Sequence, residues 1–107
     1  MSRNGRKKAE LDVSRNSKIL KAIADADRLR LVLQLKDEEK NVGKLAEELG
    51  VDLVNISHHL GVLRVSGLVK NKRVGRYVYY KLNPEYVTRN GTALYLRLAG
   101  CRLVVEV

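Results

Sequence analysis

The sequence predicts a small α+β domain, mainly helical with one β-hairpin, and three observations carry that expectation. Apolar residues recur at helical spacing from Ile19 to Leu63, with a break at Gly50. Two runs rich in Val and Tyr, residues 68–74 and 77–82, meet at Gly75-Arg76, the pattern of a hairpin. The chain has 107 residues, 45% of them apolar, enough for one core without metal or disulfide help; folding at this length buries roughly two thirds of the unfolded surface. A multidomain enzyme is excluded on length alone.

Ile19, Leu20, Ile23 and Ala24 form the stripe of a first helix, and Asp25 can cap the second by accepting from its free N–H groups. Leu29, Val32 and Leu33 place that second helix at about residues 26–36, and Asp37-Glu38-Glu39-Lys40-Asn41 reads as a solvated connector. From Val42 to Leu63 two helical stripes flank Gly50, the pattern of a helix-turn-helix. Ala46 is small where the two helices must cross. Gly50 can take the left-handed conformation the turn needs, Asp52 supplies the next N-cap, and Ile56 plugs the second helix onto the first. A hairpin directly after such a motif makes a winged helix-turn-helix, whose second helix enters a major groove while the wing lies along the backbone.

Beyond Pro84, Leu94, Leu96 and Leu98 alternate with Tyr95 and Arg97, Asn90-Gly91 is a hairpin-turn dipeptide, and residues 101–107 are rich in Val. Strands are expected there, although Leu94, Tyr95 and Leu98 also fit a helical stripe. The chain therefore divides into a basic, partly flexible arm at 1–18, the winged helix-turn-helix at 19–83, and a C-terminal segment at 84–107 that can serve dimerisation.

The formal net charge is +9 and its excess is clustered. Arg3, Arg6, Lys7, Lys8, Arg15 and Lys18 lie in the arm; Lys70, Lys72, Arg73, Arg76 and Lys81 lie in the hairpin with no acid among residues 70–81. Residues 19–69 are nearly balanced. Solubility alone can explain surface cations, but a basic arm and a basic hairpin on a neutral body point to a polyanion. The single Cys101 cannot form an intrachain disulfide, residues 2–18 contain no apolar run of a signal peptide, and no apolar stretch approaches the roughly 20 residues of a membrane span. A cytoplasmic, nucleoid-associated protein is expected.

Residues 24–33 (ADADRLRLVL), 42–50 (VGKLAEELG), 56–60 (ISHHL), Leu63-Arg64, 66–69 (SGLV) and 75–82 (GRYVYYKL) together resemble the ArsR/SmtB winged-helix repressors, in order and nearly without gaps over about residues 19–83. The resemblance implies a homodimer that binds a palindromic operator in double-stranded DNA, blocks transcription and is released by an effector. By position it implies DNA contacts from Val54, Asn55, Ser57 and His58 beside Leu53, with Lys44, Arg64, Lys70, Lys72, Arg73 and Arg76 around them. The family usually has polar residues where Leu53 and Val54 stand. Asn55 can bond adenine, His58 can donate to guanine, and an apolar side chain can touch a thymine methyl.

His58 and His59 invite a metal reading, but neighbours on a helix point about 100° apart and neither has a ligand four residues away. His58 is expected to face DNA and His59 the core or the dimer. The family's Cys-Val-Cys metal motif reads Asn41-Val42-Gly43 here, and the tail holds no His, so neither metal nor cofactor is expected. Cys101 follows Ala99-Gly100 at an expected turn beside Arg102, which makes it either a redox-sensing thiol or a small buried residue at a strand start. An RNA-binding module is the alternative that composition permits, though Tyr79 and Tyr80 face opposite sides and no RNP-like motif is present. No catalytic triad, phosphate loop or paired-carboxylate motif supports an enzyme.

Overall fold

The computed structural model describes residues 3–106, with side chains from Val13 to Glu106. Four helices precede the hairpin: α1 (Arg3–Ile23), α2 (Ala26–Gln34), α3 (Val42–Leu49) and α4 (Leu53–Ser66). Strand β1 (Lys40–Asn41) lies between α2 and α3, and β2 (Val69–Val74) with β3 (Tyr77–Leu82) forms the wing. Strands β4 (Val87–Asn90), β5 (Ala93–Leu98) and β6 (Cys101–Glu106) follow. The expected winged helix-turn-helix is present, and so are the C-terminal strands.

The arm is not set apart from the first helix, because α1 starts at Arg3 and runs through to Ile23. The side chains of Arg3, Arg6, Lys7 and Lys8 lie outside the described residues. Asp25 caps α2 as expected, its Oδ1 accepting from the N–H groups of Asp27 and Arg28 at 3.0 and 3.1 Å. Gly50 holds φ 64° at the end of α3, and the Val51 N–H reaches back to the Ala46 carbonyl at 3.2 Å, the left-handed cap that turns the chain into α4. Asp52 then caps α4 through the Asn55 N–H. Asn41 caps α3 in the same way through the Lys44 N–H, a role the sequence pattern did not suggest.

Two further expectations need correction. Lys40 and Asn41 are not solvated loop: they pair antiparallel with Tyr80 and Tyr79, giving a sheet of order β1-β3-β2. In the second sheet, of order β4-β5-β6, Asn90 pairs with Ala93, so the two-residue turn is Gly91-Thr92 and Asn90 is its last strand residue.

One core serves the whole domain. Leu31, Leu45, Ile56, Leu60, Leu63 and Leu68 are fully buried, and Leu94 and Leu96 of β5 join the same cluster. Each such side chain contributes roughly 1.5–3 kcal/mol on burial. Alternation along β5 puts Leu94, Leu96 and Leu98 inward and leaves Tyr95 and Arg97 outward, which decides for strand over helix.

Polar fasteners join distant parts. Asn83, 5% exposed, donates from Nδ2 to the Gly67 carbonyl at 2.8 Å, and its backbone N–H bonds the Leu68 carbonyl. Gly67 has φ 91°, and a Cβ there would sit 3.1 Å from the Tyr86 ring, so a side chain is doubly excluded. Asn16 of α1 clasps the β5–β6 turn: Oδ1 accepts from the Ala99 N–H at 3.0 Å and Nδ2 donates to the Ala99 carbonyl at 2.6 Å. The Arg15 guanidinium stacks over Tyr86 beside it, 4.8 Å from the ring centre.

Candidate nucleic-acid interface

Helix α4 buries Ile56, Leu60 and Leu63 and turns its first two turns outward. Leu53 and Val54 are 56% and 79% exposed, and Asn55, Ser57 and His58 are exposed beside them. This arrangement follows from spacing: the buried residues recur at four and three positions along one side of the helix, which leaves Leu53, Val54, Asn55, Ser57 and His58 on the opposite side. Two large apolar side chains on such a face gain nothing from water, and both can meet thymine methyl groups in a major groove.

The wing carries its cations less uniformly than its sequence suggests. Lys70, Lys72, Arg73 and Arg76 are all exposed. Lys70 stands opposite Lys81 and Lys72 opposite Tyr79 on one face, Arg73 stands opposite Val78 on the other, and Arg76 sits in the turn with its guanidinium 5.7 Å from the Tyr77 ring centre. The expectation that no acid opposes these cations fails for Lys72, whose Nζ lies 3.2 Å from Glu39 Oε1. The acidic connector is the cause. Glu38 likewise lies 3.8 Å from Lys44, and Asp37 pairs with Arg89 at 2.6 Å. Exposed pairs of this kind are worth about 0–1 kcal/mol, so DNA phosphates can displace them.

Arg64 is exposed at the far end of α4, where Lys18 and Lys21 of α1 and Arg28 of α2 join it around a groove of about 550 Å³ floored by Ala22, Gly61, Val62 and Val65. Lys18 and Lys21 were legible only as basic residues near the N-terminus. Their place beside α4 depends on how α1 packs.

His58 faces solvent. His59 is half-buried against the start of α2, with Nε2 3.7 Å from Asp27 Oδ2 and Nδ1 3.3 Å from Arg28 Nη1. The same Arg28 donates from Nε to the Ala22 carbonyl at 2.5 Å, closing the end of α1, which has no glycine cap of its own. Asp25, Asp27 and His59 bring one ligand atom each within 4.8 Å of one another, a grouping across two helices that residue spacing along α4 alone does not reveal. Its chemistry is that of a helix junction: Asp25 Oδ1 is taken by two backbone N–H groups, and the Arg28 cation occupies the histidine's other nitrogen. The Arg28 backbone N–H, helped by its guanidinium, holds the Asp25 carboxyl below the ordinary aspartate value.

Cys101 opens β6, as expected, and it is exposed beside the β5–β6 turn, where it pairs with Leu98, while Leu103 and Val105 farther along the strand are half-buried. Its Sγ accepts from Asn16 Nδ2 at 3.8 Å. No helix among the described residues is long and apolar enough to cross a membrane.

Residues 25–71 match the sequence profile described as "Bacterial regulatory protein, arsR family". The chain is 36% identical over 69 residues to the transcriptional regulator KmtR of Mycobacterium tuberculosis, an alignment covering 64% of this chain and 53% of that one. It thus spans about half of KmtR. Against the transcriptional repressor SdpR of Bacillus subtilis it is 34% identical, with 61% of this chain and 72% of the relative covered. Among solved structures, a fragment of Mb0332 from Mycobacterium bovis, described as a homodimeric winged helix-turn-helix DNA-binding domain, superposes with a TM-score of 0.68 at 33% identity over 79% of this chain and 75% of that one. With the helix-turn-helix, the wing and these likenesses in agreement, the chain belongs to the ArsR family of bacterial transcriptional regulators.

Proposed function

We propose that the protein is a repressor that binds a palindromic operator in double-stranded DNA as a homodimer and lets go when an effector acts on it. The outward face of α4, with Leu53, Val54, Asn55, Ser57 and His58 exposed above a buried Ile56 and Leu60, carries this reading. In it, Val54, Asn55, Ser57 and His58 meet base edges. Lys44, Arg64, Lys70, Arg73 and Arg76 meet phosphates, with Lys72 released from Glu39. Such a repressor works at the nucleoid, in the cytoplasm.

One such helix reads too few base pairs for useful selectivity, so two act together, their half-sites about 34 Å apart. The homodimeric Mb0332 fragment supports this. Val13, Ser17 and Leu20 of α1, with Ala24 just past its end, recur at four, three and four positions along a shallow exposed hollow, and Val13 is 67% exposed. That seam suits a second copy of α1.

For release, the exposed Cys101 thiol is the candidate sensor. Oxidation there would act on Asn16, which holds α1 to the C-terminal sheet, and so on the dimer seam. The reading is tested by mapping protected sites on genomic DNA and competing a recovered site with single-stranded RNA at fixed salt. A symmetric footprint with duplex preferred is expected, and equal competition by RNA would defeat it.

A further inference from the structure

The outward face of the C-terminal sheet carries a second charged feature, remote from the wing in the sequence. Arg97 of β5 and Arg102 of β6 stand directly opposite each other in the ladder. Like charges in that position destabilise a sheet. Among the described residues neither arginine has an ion-pair partner to offset the repulsion. Glu106, on the strand of Arg102, stands opposite Ala93, and Glu85 shares a small hollow with Arg97 without forming an ion pair with it. Both arginines are exposed and line an open cavity of about 790 Å³ with Tyr95, Thr88 and Asn90, and no acid contributes to its lining.

A local rule broken without an internal remedy marks a place where the remedy comes from outside. Two guanidinium forks facing one space suit a phosphate, which accepts several charge-assisted hydrogen bonds at once. Tyr95 stands two residues before Arg97 on the same face, about 7 Å along the strand. Its ring offers a planar group a surface at that distance from the phosphate, with Thr88 and Asn90 supplying polar partners across the ladder. The volume falls within the roughly 300–1,000 Å³ of small-ligand sites, whereas a nucleic-acid strand needs a longer track. We infer that this face binds a nucleoside phosphate, its phosphate between Arg97 and Arg102 and its base against Tyr95.

The test is calorimetric titration of the full chain with ADP, adenosine and inorganic phosphate, alongside DNA affinity measured separately. ADP should bind saturably and at least roughly tenfold more tightly than either fragment, and Arg102→Glu should weaken it by a similar factor. Because Arg102→Glu gives Arg97 a partner, it should also raise the melting midpoint of the ligand-free protein, which shows that lost binding is not lost folding. Arg97→Gln should weaken ADP without that rise. DNA affinity and its salt dependence should be unchanged in both. No saturable ADP binding at millimolar concentration, equal binding of ADP and bare phosphate, or a changed DNA salt dependence in Arg102→Glu would each overturn the inference.

Discussion

Asn55 is tied to the residue that caps its own helix: its side-chain Nδ2 donates to Asp52 Oδ2 at 2.9 Å, while its backbone N–H donates to Asp52 Oδ1 at 2.9 Å. One carboxylate thus holds both the start of α4 and the amide proposed to read adenine. The tether orients the amide and leaves its second N–H and its Oδ1 for a bidentate base contact, but it places a negative charge where phosphates approach. Asp52→Ser keeps a cap and releases the amide, so DNA affinity should rise for all sequences with little change in stability. Asp52→Ala should instead cost about 1 kcal/mol in denaturant unfolding. Asn55→Ala should lose roughly 1–3 kcal/mol of discrimination at one base pair per half-site, read from binding to a panel of single-base operator variants.

Among the described residues, the wing cations divide into those with an ion-pair partner and those without. Each phosphate contact contributes about 0.9 to the slope of log affinity against log salt, so Arg73→Ala with Arg76→Ala should flatten that slope by roughly one to two units. Glu39→Gln releases Lys72 and should tighten binding to every sequence alike. A slope that does not move in the double variant would take the wing off the DNA.

Acid stability should report on Asp25. Its carboxyl titrates below the ordinary aspartate value, chiefly because the Arg28 backbone N–H bonds the charged form, so its contribution is present at neutral pH and is lost as pH falls through the lowered value. Asn can also cap a helix, so Asp25→Asn removes the charge and keeps the cap. Wild type should be the more stable at neutral pH, and the gap should close as pH drops below about 4, followed by urea unfolding across the acid range.

Leu20, at 40% exposure, contributes little to the core and is central to the proposed seam. Leu20→Glu should leave the fold intact by circular dichroism, change stability by no more than about 0.5 kcal/mol, and give a monomer in sedimentation with operator affinity sharply reduced. A dimer that survives the charge would move the interface elsewhere.

Hydrogen peroxide should weaken operator binding by the wild type and leave Cys101→Ser unaffected, as measured by fluorescence anisotropy. Identical responses would remove the thiol from sensing.

The parts of this molecule that were legible in advance obey local rules. Gly50, Asp52 and Ile56 each answer a demand made within a few residues: a left-handed turn, an open helix end, a first buried position. The alternation of Leu94, Leu96 and Leu98 is likewise local, and it decided the tail. What escaped depends on distant partners. Asn16, Asn83 and Glu39 look like ordinary solvated residues until the fold brings Ala99, Gly67 and Lys72 beside them. Cys101 stood open between a sensing thiol and a small buried residue for a related reason: its exposure depends on what packs around the β5–β6 turn, which the local sequence does not reveal.

The clasp between Asn16 and Ala99 joins residues 83 positions apart. Closing so long a loop costs entropy that two hydrogen bonds alone do not offset, so the clasp forms once the core has gathered both ends. Once formed, it binds the fates of those ends together. Loosening the last hairpin frees the first helix as well, and hydrogen exchange in α1 should quicken whenever β5 and β6 are disturbed, as one cooperative unit.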